Sequence, residues 1–466
     1  MVRAAVAIAA LGLAGTGRVE AQETPVSEGA VGTWIGTLDA AGQALRLVFH
    51  IERDESGDLS GTLDSPDQGA YGLRLSTVKE ENGAVRFAIA SLVGEYTGRV
   101  SEDGSGLEGQ WAQGGASFPL DLERTDEATL APERPQEPKP PFPYEAADLE
   151  FDNPEAGVRL AGTLTIPAGD PPHPAVVLIS GSGPQDRDET VFAHRPFLVL
   201  ADYLTRRGIA VLRYDDRGIG ESTGDFRAAT TPDFASDALA AVAYLKTRSE
   251  VAPDRIGLLG HSEGAIVAPM AANQSDDVTF AVLLACTGVD GRDLLVMQAM
   301  AINRAAGVSE AETEQRSVVQ KRLLDVVAEA ENDSLAAEQA RAIMAEAGLT
   351  GEAAEAQVRA LLSPWMKYFL VYDPIPELLE MSIPVLALNG EKDTQVPPSQ
   401  NFGPVEAALR EGGNPDVTAE VLPGLNHLFQ TAETGSPTEY AGIEETMSPL
   451  ALEMIADWIT ARTTLD

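Results

Sequence analysis

Gly260-His261-Ser262-Glu263-Gly264 lies between Ile256-Gly257-Leu258-Leu259, a short apolar run of strand type, and Ala265-Ile266-Val267-Ala268-Pro269-Met270, a run of helix type. A serine flanked by small residues at a strand-to-helix junction is the pattern of a nucleophile elbow. Such a turn is so sharp that its serine sits in a strained backbone conformation and only glycine-like neighbours fit around it. The hydroxyl then projects where a substrate can reach it.

A second match to the same pattern, Gly220-Glu221-Ser222-Thr223-Gly224, has a different setting. It follows the polar turn Arg213-Tyr214-Asp215-Asp216-Arg217-Gly218 and precedes Asp225-Phe226-Arg227, which lacks an apolar helical period. Context therefore assigns the nucleophile to Ser262 and a loop position to Ser222.

The chain has 466 residues, 44% hydrophobic and 23% charged, enough for more than one domain and too apolar for disorder. Its 72 acidic and 33 basic side chains give a formal net charge of -39, a field that repels phosphate backbones and argues against nucleic acid as a partner. Met1-Val2-Arg3, an apolar run from Ala4 to Ala14, and Val19-Glu20-Ala21 ahead of Gln22 read as a signal peptide over residues 1–21. An exported protein is expected. The leading run is too short for a membrane span, and no later stretch approaches 18 continuous apolar residues. Cys286 is the single cysteine, so no intrachain disulfide can form, and its apolar surroundings Val282-Leu283-Leu284-Ala285 read as a buried strand.

Residues 30–124 carry a period of two punctuated by turn signals. Leu45, Leu47, Phe49 and Ile51 alternate with Arg46, Val48, His50 and Glu52, and Val85, Phe87 and Ile89 repeat the pattern. Turns fall at Ser56-Gly57-Asp58, Glu81-Asn82-Gly83 and Asp103-Gly104-Ser105-Gly106. This predicts a small antiparallel β domain, a barrel or sandwich of about eight short strands. Trp34 and Trp111 read as its core aromatics. Residues 125–144 include six prolines between Ala131 and Pro143 and read as a stiff linker.

From residue 145 to 466 strands alternate with helices: strands over Val158 to Ile166, Ala175 to Ile179, Ala210 to Arg213, Ile256 to Leu259 and Ala281 to Cys286, with helices over Pro196 to Arg207 and Pro232 to Lys246. Continuous Val, Leu and Ile strands between amphipathic helices indicate a mostly parallel, doubly wound sheet covered on both faces. The alternation breaks between Gly291 and Leu362, where only helical material appears, with a capping box at Ser309-Glu310-Ala311-Glu312. Placed above the strand ends, this insertion would act as a lid. The sheet resumes at Pro384 to Leu388, then near Ala419 to Leu422, and a helix from Pro449 to Arg462 closes the chain.

A serine hydroxyl needs a base within hydrogen-bond reach, itself oriented by a third group. The chain has five histidines. His50 falls in the β domain, His173 and His194 precede the serine, and His261 sits inside the turn pointing away from Ser262. Only His427 lies downstream, in a loop just after the last predicted strand. The orienting acid is expected between serine and histidine at a strand end, where Asn389-Gly390-Glu391-Lys392-Asp393-Thr394-Gln395-Val396 follows Leu388. Asp393 is the best placed carboxylate, with Glu391 the nearest competitor. The oxyanion of a tetrahedral intermediate needs backbone N–H donors, one expected from Glu263 and a second from Ser180-Gly181-Ser182-Gly183-Pro184, with Ser182 as donor and Gly183 as alternative.

The order Ser262, Asp393, His427, with Gly181-Ser182-Gly183 upstream and Asp216-Arg217-Gly218-Ile219-Gly220-Glu221-Ser222 between, resembles the α/β-hydrolase superfamily, particularly the serine aminopeptidase (S33-like) and bacterial esterase branch. The resemblance spans roughly residues 145–466 and implies that the Arg-Gly-x-Gly-x-Ser stretch is a structural turn after the fourth strand. Many relatives have His-Gly before the oxyanion donor, where this chain has Ser180-Gly181. Ser363-Pro364-Trp365-Met366-Lys367-Tyr368-Phe369-Leu370-Val371-Tyr372-Asp373-Pro374 is similar to a segment of exported bacterial hydrolases with an N-terminal β domain; its aromatics either line an acyl pocket or pack under the lid.

The expectation is an α/β-hydrolase fold with a helical lid, preceded by an all-β domain, acting as a serine hydrolase on a small-molecule carboxylic ester without metal or cofactor. Two rivals stand beside it. An aminopeptidase would use the same triad with an acidic anchor for the substrate amine, which the acid-rich insertion could supply. A binding module would have lost the chemistry.

Only six of the 33 basic residues are lysine, and with the acid excess this composition suits a salt-rich environment. Screening of the self-repulsion should raise the melting temperature from low to molar salt. A flat profile contradicts that expectation.

Overall fold

Val85, Phe87 and Ile89 turn inward in the structure while their neighbours face outward, as an alternating strand on a one-sided core requires. They belong to a computed structural model that describes residues 29–464 apart from 41–42, 55–56, 67–69, 90–93, 102, 114–115 and 126–133. The expected signal peptide, residues 1–21, lies outside the described residues, as does part of the proline-rich stretch. The chain divides into two units, one formed by residues 1–133 with 191–193 and the other by 134–190 with 194–466.

The first unit is a ten-stranded antiparallel sheet. Its strands are β1 (Gly32–Ala40), β2 (Gln43–Arg53), β3 (Leu59–Ser65), β4 (Ala70–Arg74), β5 (Thr77–Glu81), β6 (Ala84–Ile89), β7 (Gly94–Val100), β8 (Gly106–Gln113), β9 (Ala116–Pro119) and β10 (Leu122–Thr125). The order is β4-β3-β2-β1-β10-β8-β7-β6-β5, with β9 paired to β8. Turn signals suggest about eight strands because β9 and β10 are too short to show alternation. Phe49 sits at the centre of the core, its ring 5.4 Å from Phe87, 5.6 Å from Tyr96 and 6.2 Å from Trp111. Trp34 and Trp111 are both buried in that cluster, so neither forms an exposed stacking platform.

The second unit contains β11 (Glu145–Asn153), β12 (Val158–Ile166), β13 (His173–Ile179), α1 (Pro196–Arg206), β14 (Ala210–Tyr214), α2 (Thr231–Lys246), β15 (Val251–His261), α3 (Gly264–Ala272) and β16 (Phe280–Leu284). Six helices follow: α4 (Gly291–Ala305), α5 (Glu310–Glu329), α6 (Asp333–Glu346), α7 (Gly351–Leu361), α8 (Pro364–Val371) and α9 (Ile375–Glu380). The chain closes with β17 (Val385–Gly390), α10 (Pro398–Glu411), β18 (Val417–Leu422) and α11 (Pro449–Thr463). The sheet order is β11-β12-β14-β13-β15-β16-β17-β18. Only β11 with β12 and β12 with β14 pair antiparallel, and all other neighbours run parallel. This is the α/β-hydrolase sheet. Every residue of β14, β16 and β17 is buried, which the helices on both faces make possible.

Parallel strands bring their carboxyl ends to one edge, and the strand order reverses around β13. That edge carries the loops after β13, β15, β17 and β18, which hold Ser180 to Gly183, Ser262, Asp393 and His427. The helices α4 to α7 have a core of their own built on Leu323, Leu324, Ile343, Met344 and Val358. Ser309 caps α5 by accepting from Glu312 N–H, as its position in the sequence suggests. Within the proline-rich stretch, Arg134 and Gln136 hydrogen-bond the carbonyls of Ala441, Ile443 and Met447, and Tyr144 donates to Asp202, so residues from Arg134 onward pack as part of the second unit.

Removing the Phe49 ring should leave a cavity among three aromatic neighbours and cost about 3–5 kcal/mol. Denaturant unfolding of Phe49→Ala followed by near-UV circular dichroism checks this, and a loss below about 1 kcal/mol contradicts the packing described.

Candidate active site

The turn after β15 reverses direction within three residues. Ser262 has φ +55°, a left-handed conformation that costs a non-glycine residue about 1–3 kcal/mol and persists only where its surroundings enforce it. A Cβ on Gly260 would overlap the carbonyl of Gly264, and one on Gly264 would overlap the carbonyl of Ile179 at the end of β13. Both glycines are therefore required by contact. Ser262 N–H donates to Leu284 O at 2.8 Å, which locks the turn to β16, and α3 starts immediately afterwards.

Ser222, the other match, is a structural serine. Its hydroxyl donates to Asp215 O and accepts from Ala161 N–H, and no α-helix follows it directly. The two matches thus differ in setting, Ser262 at a strand-turn-helix junction and Ser222 in a hydrogen-bonded loop. Cys286 is buried, its thiol contacts Ala265 O, and burial pushes its pKa up to about 12.

His427 and Asp393 come together as the spacing suggests. His427 Nδ1 lies 2.8 Å from Asp393 Oδ2, with both side chains buried. Asp393 also accepts from Asn389 Nδ2 at 3.0 Å and from the amides of Gln395 and Val396 at 2.8 Å, so four donors fix the carboxylate. Glu391 accepts from Gly424 N–H instead and is exposed. The loop bearing His427 is tied by Asn426, whose side-chain oxygen accepts from the amides of Leu428 and Gln430.

The loop after β13 reaches the serine, since the Cβ position of Gly181 lies 3.3 Å from Ser262 Cβ. Gly181 N–H is committed to Glu189 Oε1 at 2.7 Å. Among the described residues the amides of Ser182 and Glu263 have no acceptor within the chain, which leaves them available to a ligand. Ser180 donates its hydroxyl to Asp216 Oδ1 at 3.0 Å, and Asp216 Oδ2 accepts from Gln185 N–H. Burial holds the Asp216 pKa well above the usual carboxylate range.

Several side-chain contacts that the sequence reading did not assign build this site. Glu263 is buried, and its Oε1 accepts from Trp365 Nε1 at 2.6 Å and from Thr231 Oγ1 at 2.8 Å. Burial raises its pKa, opposed by those two donors. Trp365 stacks on Phe369 with ring centroids 4.9 Å apart; Phe369 belongs to the main core, and Met366 and Leu370 to the core of the helical insertion. Of the two roles open to this aromatic segment, packing beneath the insertion is the one observed. The run Asp186-Arg187-Asp188-Glu189 is partly buried: Arg187 pairs with Asp215 at 2.8 Å, and the buried Glu189 faces His261. Four consecutive charges directly after a glycine loop were the available signal.

Among the described residues no group of His, Cys, Asp and Glu is placed to hold a metal ion, and no helix is long and apolar enough to cross a membrane.

A family model described as serine aminopeptidase, S33, matches residues 194–433. Esterase EstD of Thermotoga maritima is 43% identical over 116 residues, which are 25% of this chain and 28% of that protein. The match thus spans less than a third of the esterase. Among solved structures, the Pyrococcus furiosus esterase Pf2001 aligns over 69% of this chain and 92% of its own with 16% identity and a TM-score of 0.42. The α/β-hydrolase GrgF from Penicillium sp. sh18 aligns over 69% and 100% with 20% identity and a TM-score of 0.43.

His194 is fully buried, with Nδ1 2.9 Å from Thr446 Oγ1 and Nε2 2.9 Å from Tyr440 O, which anchors the segment following the His427 loop. Burial pushes its pKa from 6.5 down to about 4. The unfolded chain therefore binds a proton that the folded one refuses, so stability falls as pH drops from 6.5 towards 4 and levels off below. The loss expected from this residue is on the order of 3 kcal/mol. Denaturant midpoints at neutral and acid pH measure it; a His194→Gln variant should show a flatter acid arm, and an unchanged arm contradicts the assignment.

Proposed function

Because this chain belongs to the S33 serine aminopeptidase family of α/β-hydrolases, we propose that it is an exported serine hydrolase of carboxylic esters acting through an acyl-enzyme on Ser262. The observation that carries the reading is the buried Asp393–His427 pair on the same sheet edge as the strained turn at Ser262. With Nδ1–H donated to Asp393, the neutral imidazole presents its Nε2 lone pair, the atom that serves as base. Ser262 Oγ attacks the acyl carbon as His427 takes its proton. The tetrahedral oxyanion is received by the amides of Glu263 and Ser182. His427 returns the proton to the leaving alcohol, then draws one from a water that attacks the acyl-enzyme and passes it to Ser262 Oγ as the acid is released.

Support for an ester over an amino-terminal peptide substrate comes from the carboxylates around the serine. Glu263, Glu189 and Asp216 each accept from internal donors, so an ammonium group would have to compete with those bonds at any of the three. The run from Arg3 to Ala21 supports export.

Short p-nitrophenyl esters and aminoacyl-nitroanilides, compared on the same preparation, test the reading. Esters should turn over and Ser262→Ala should abolish that activity, while Asp393→Asn should lower kcat by about 10⁴. Activity retained in Ser262→Ala refutes the mechanism. Preference for the nitroanilide refutes the substrate class.

A further inference from the structure

Two loops of this site are held by one pair of side chains that takes no part in the chemistry above. His261 Nε2 lies 2.9 Å from His427 O, and a carbonyl only accepts, so Nε2 carries a proton. His261 Nδ1 lies 2.8 Å from Glu189 Oε1, the same oxygen that accepts Gly181 N–H at 2.7 Å. A carboxylate oxygen satisfies both donors, which makes His261 an imidazolium donating at both nitrogens. Both side chains are buried, with relative exposures of 7% and 4%. The His261 ring also packs against the His427 ring, with centroids 4.8 Å apart, and against Phe429 at 6.4 Å.

Two further features fit a pair retained for geometry. Glu189 holds φ +53°, a strained conformation that a surface loop would relax. Burial alone would lower the His261 pKa, but the charge and hydrogen bond of Glu189 and the His427 carbonyl outweigh it and the net shift is upward. A buried ion pair seldom gains net stability, because desolvation offsets the attraction. What this pair does supply is register, since it joins the loop of the base and the loop of the oxyanion donor to the strand that ends in the nucleophile.

We propose that Glu189 and His261 form an imidazolium–carboxylate clamp that positions His427 and the Gly181 to Gly183 loop around Ser262, a role that rests on the Ser262-Asp393-His427 reading. Neither side chain touches the reacting atoms; both are positioning residues.

The test uses the full chain with a short p-nitrophenyl ester. Glu189→Ala and His261→Ala should each lower kcat by about 10²-fold with KM little changed, because a displacement of about 1 Å in the catalytic groups costs that much. The double variant should lose no more than either single one, since the two residues act as a unit. Glu189→Gln, whose side-chain oxygen can still accept from Gly181 N–H while the charge is lost, should recover part of the loss. Wild-type kcat in folded Glu189→Ala, with activity still abolished in Ser262→Ala, overturns the clamp and leaves the triad standing. Activity surviving in Ser262→Ala overturns the triad reading itself. Should the alanine variants fail to fold, ¹⁵N spectra of the five histidines of the unaltered chain decide: one ring doubly protonated at about pH 8 is expected, and its absence overturns the proposal.

Discussion

The left-handed backbone at Ser262 is the constraint around which the second unit is arranged. That conformation is unfavourable in isolation, and it is maintained because β15 must turn into α3 while passing the end of β13 at van der Waals contact. Gly260 and Gly264 make the passage possible, and the Ser262 amide bonded to Leu284 keeps the turn from relaxing. Strain at one residue is thereby balanced by the burial of three parallel strands, each apolar along nearly its whole length. The same arrangement explains why Ser262 is partly exposed while the residues on either side of it are buried.

Burying the neighbours of Ser262 brings charges into the interior, and the fold answers them with donors. Asp393 has four, Glu263 has an indole and a hydroxyl, and Asp216 has a hydroxyl and an amide. These side chains reach from one loop or helix to another, so satisfying the charges also sets the distances between loops. Glu263 illustrates this: it contributes its amide to the edge where an oxyanion would form, and its carboxylate ties the first turn of α2 to Trp365 on α8. The acid excess of the whole chain is thus of two kinds, a solvated surface majority and a small internal set that does structural work at the site.

Much of this was legible in the residues. The elbow announced itself by glycines on both sides of a serine between a strand-type and a helix-type run, and His427 by being the one histidine downstream of it. Asp393 followed from its place after Leu388, and the continuous apolar strands identified a covered parallel sheet. The Glu189–His261 contact was not legible, because 72 positions separate the two and no periodic pattern relates a loop carboxylate to a turn residue. Trp365 likewise gave only its aromatic character; which face it presents to Glu263 depends on how α8 crosses the core. Strand β11 was missed because exposed polar residues alternate along it at the sheet edge, which reads like loop composition.

The central claim is that the turn at Ser262 makes that hydroxyl, and not the equally patterned Ser222, the nucleophile. Reaction of the native chain with a fluorophosphonate followed by peptide mapping measures it directly. A single adduct on the peptide containing Ser262 is predicted. An adduct on Ser222, or none on a folded protein, would contradict the account.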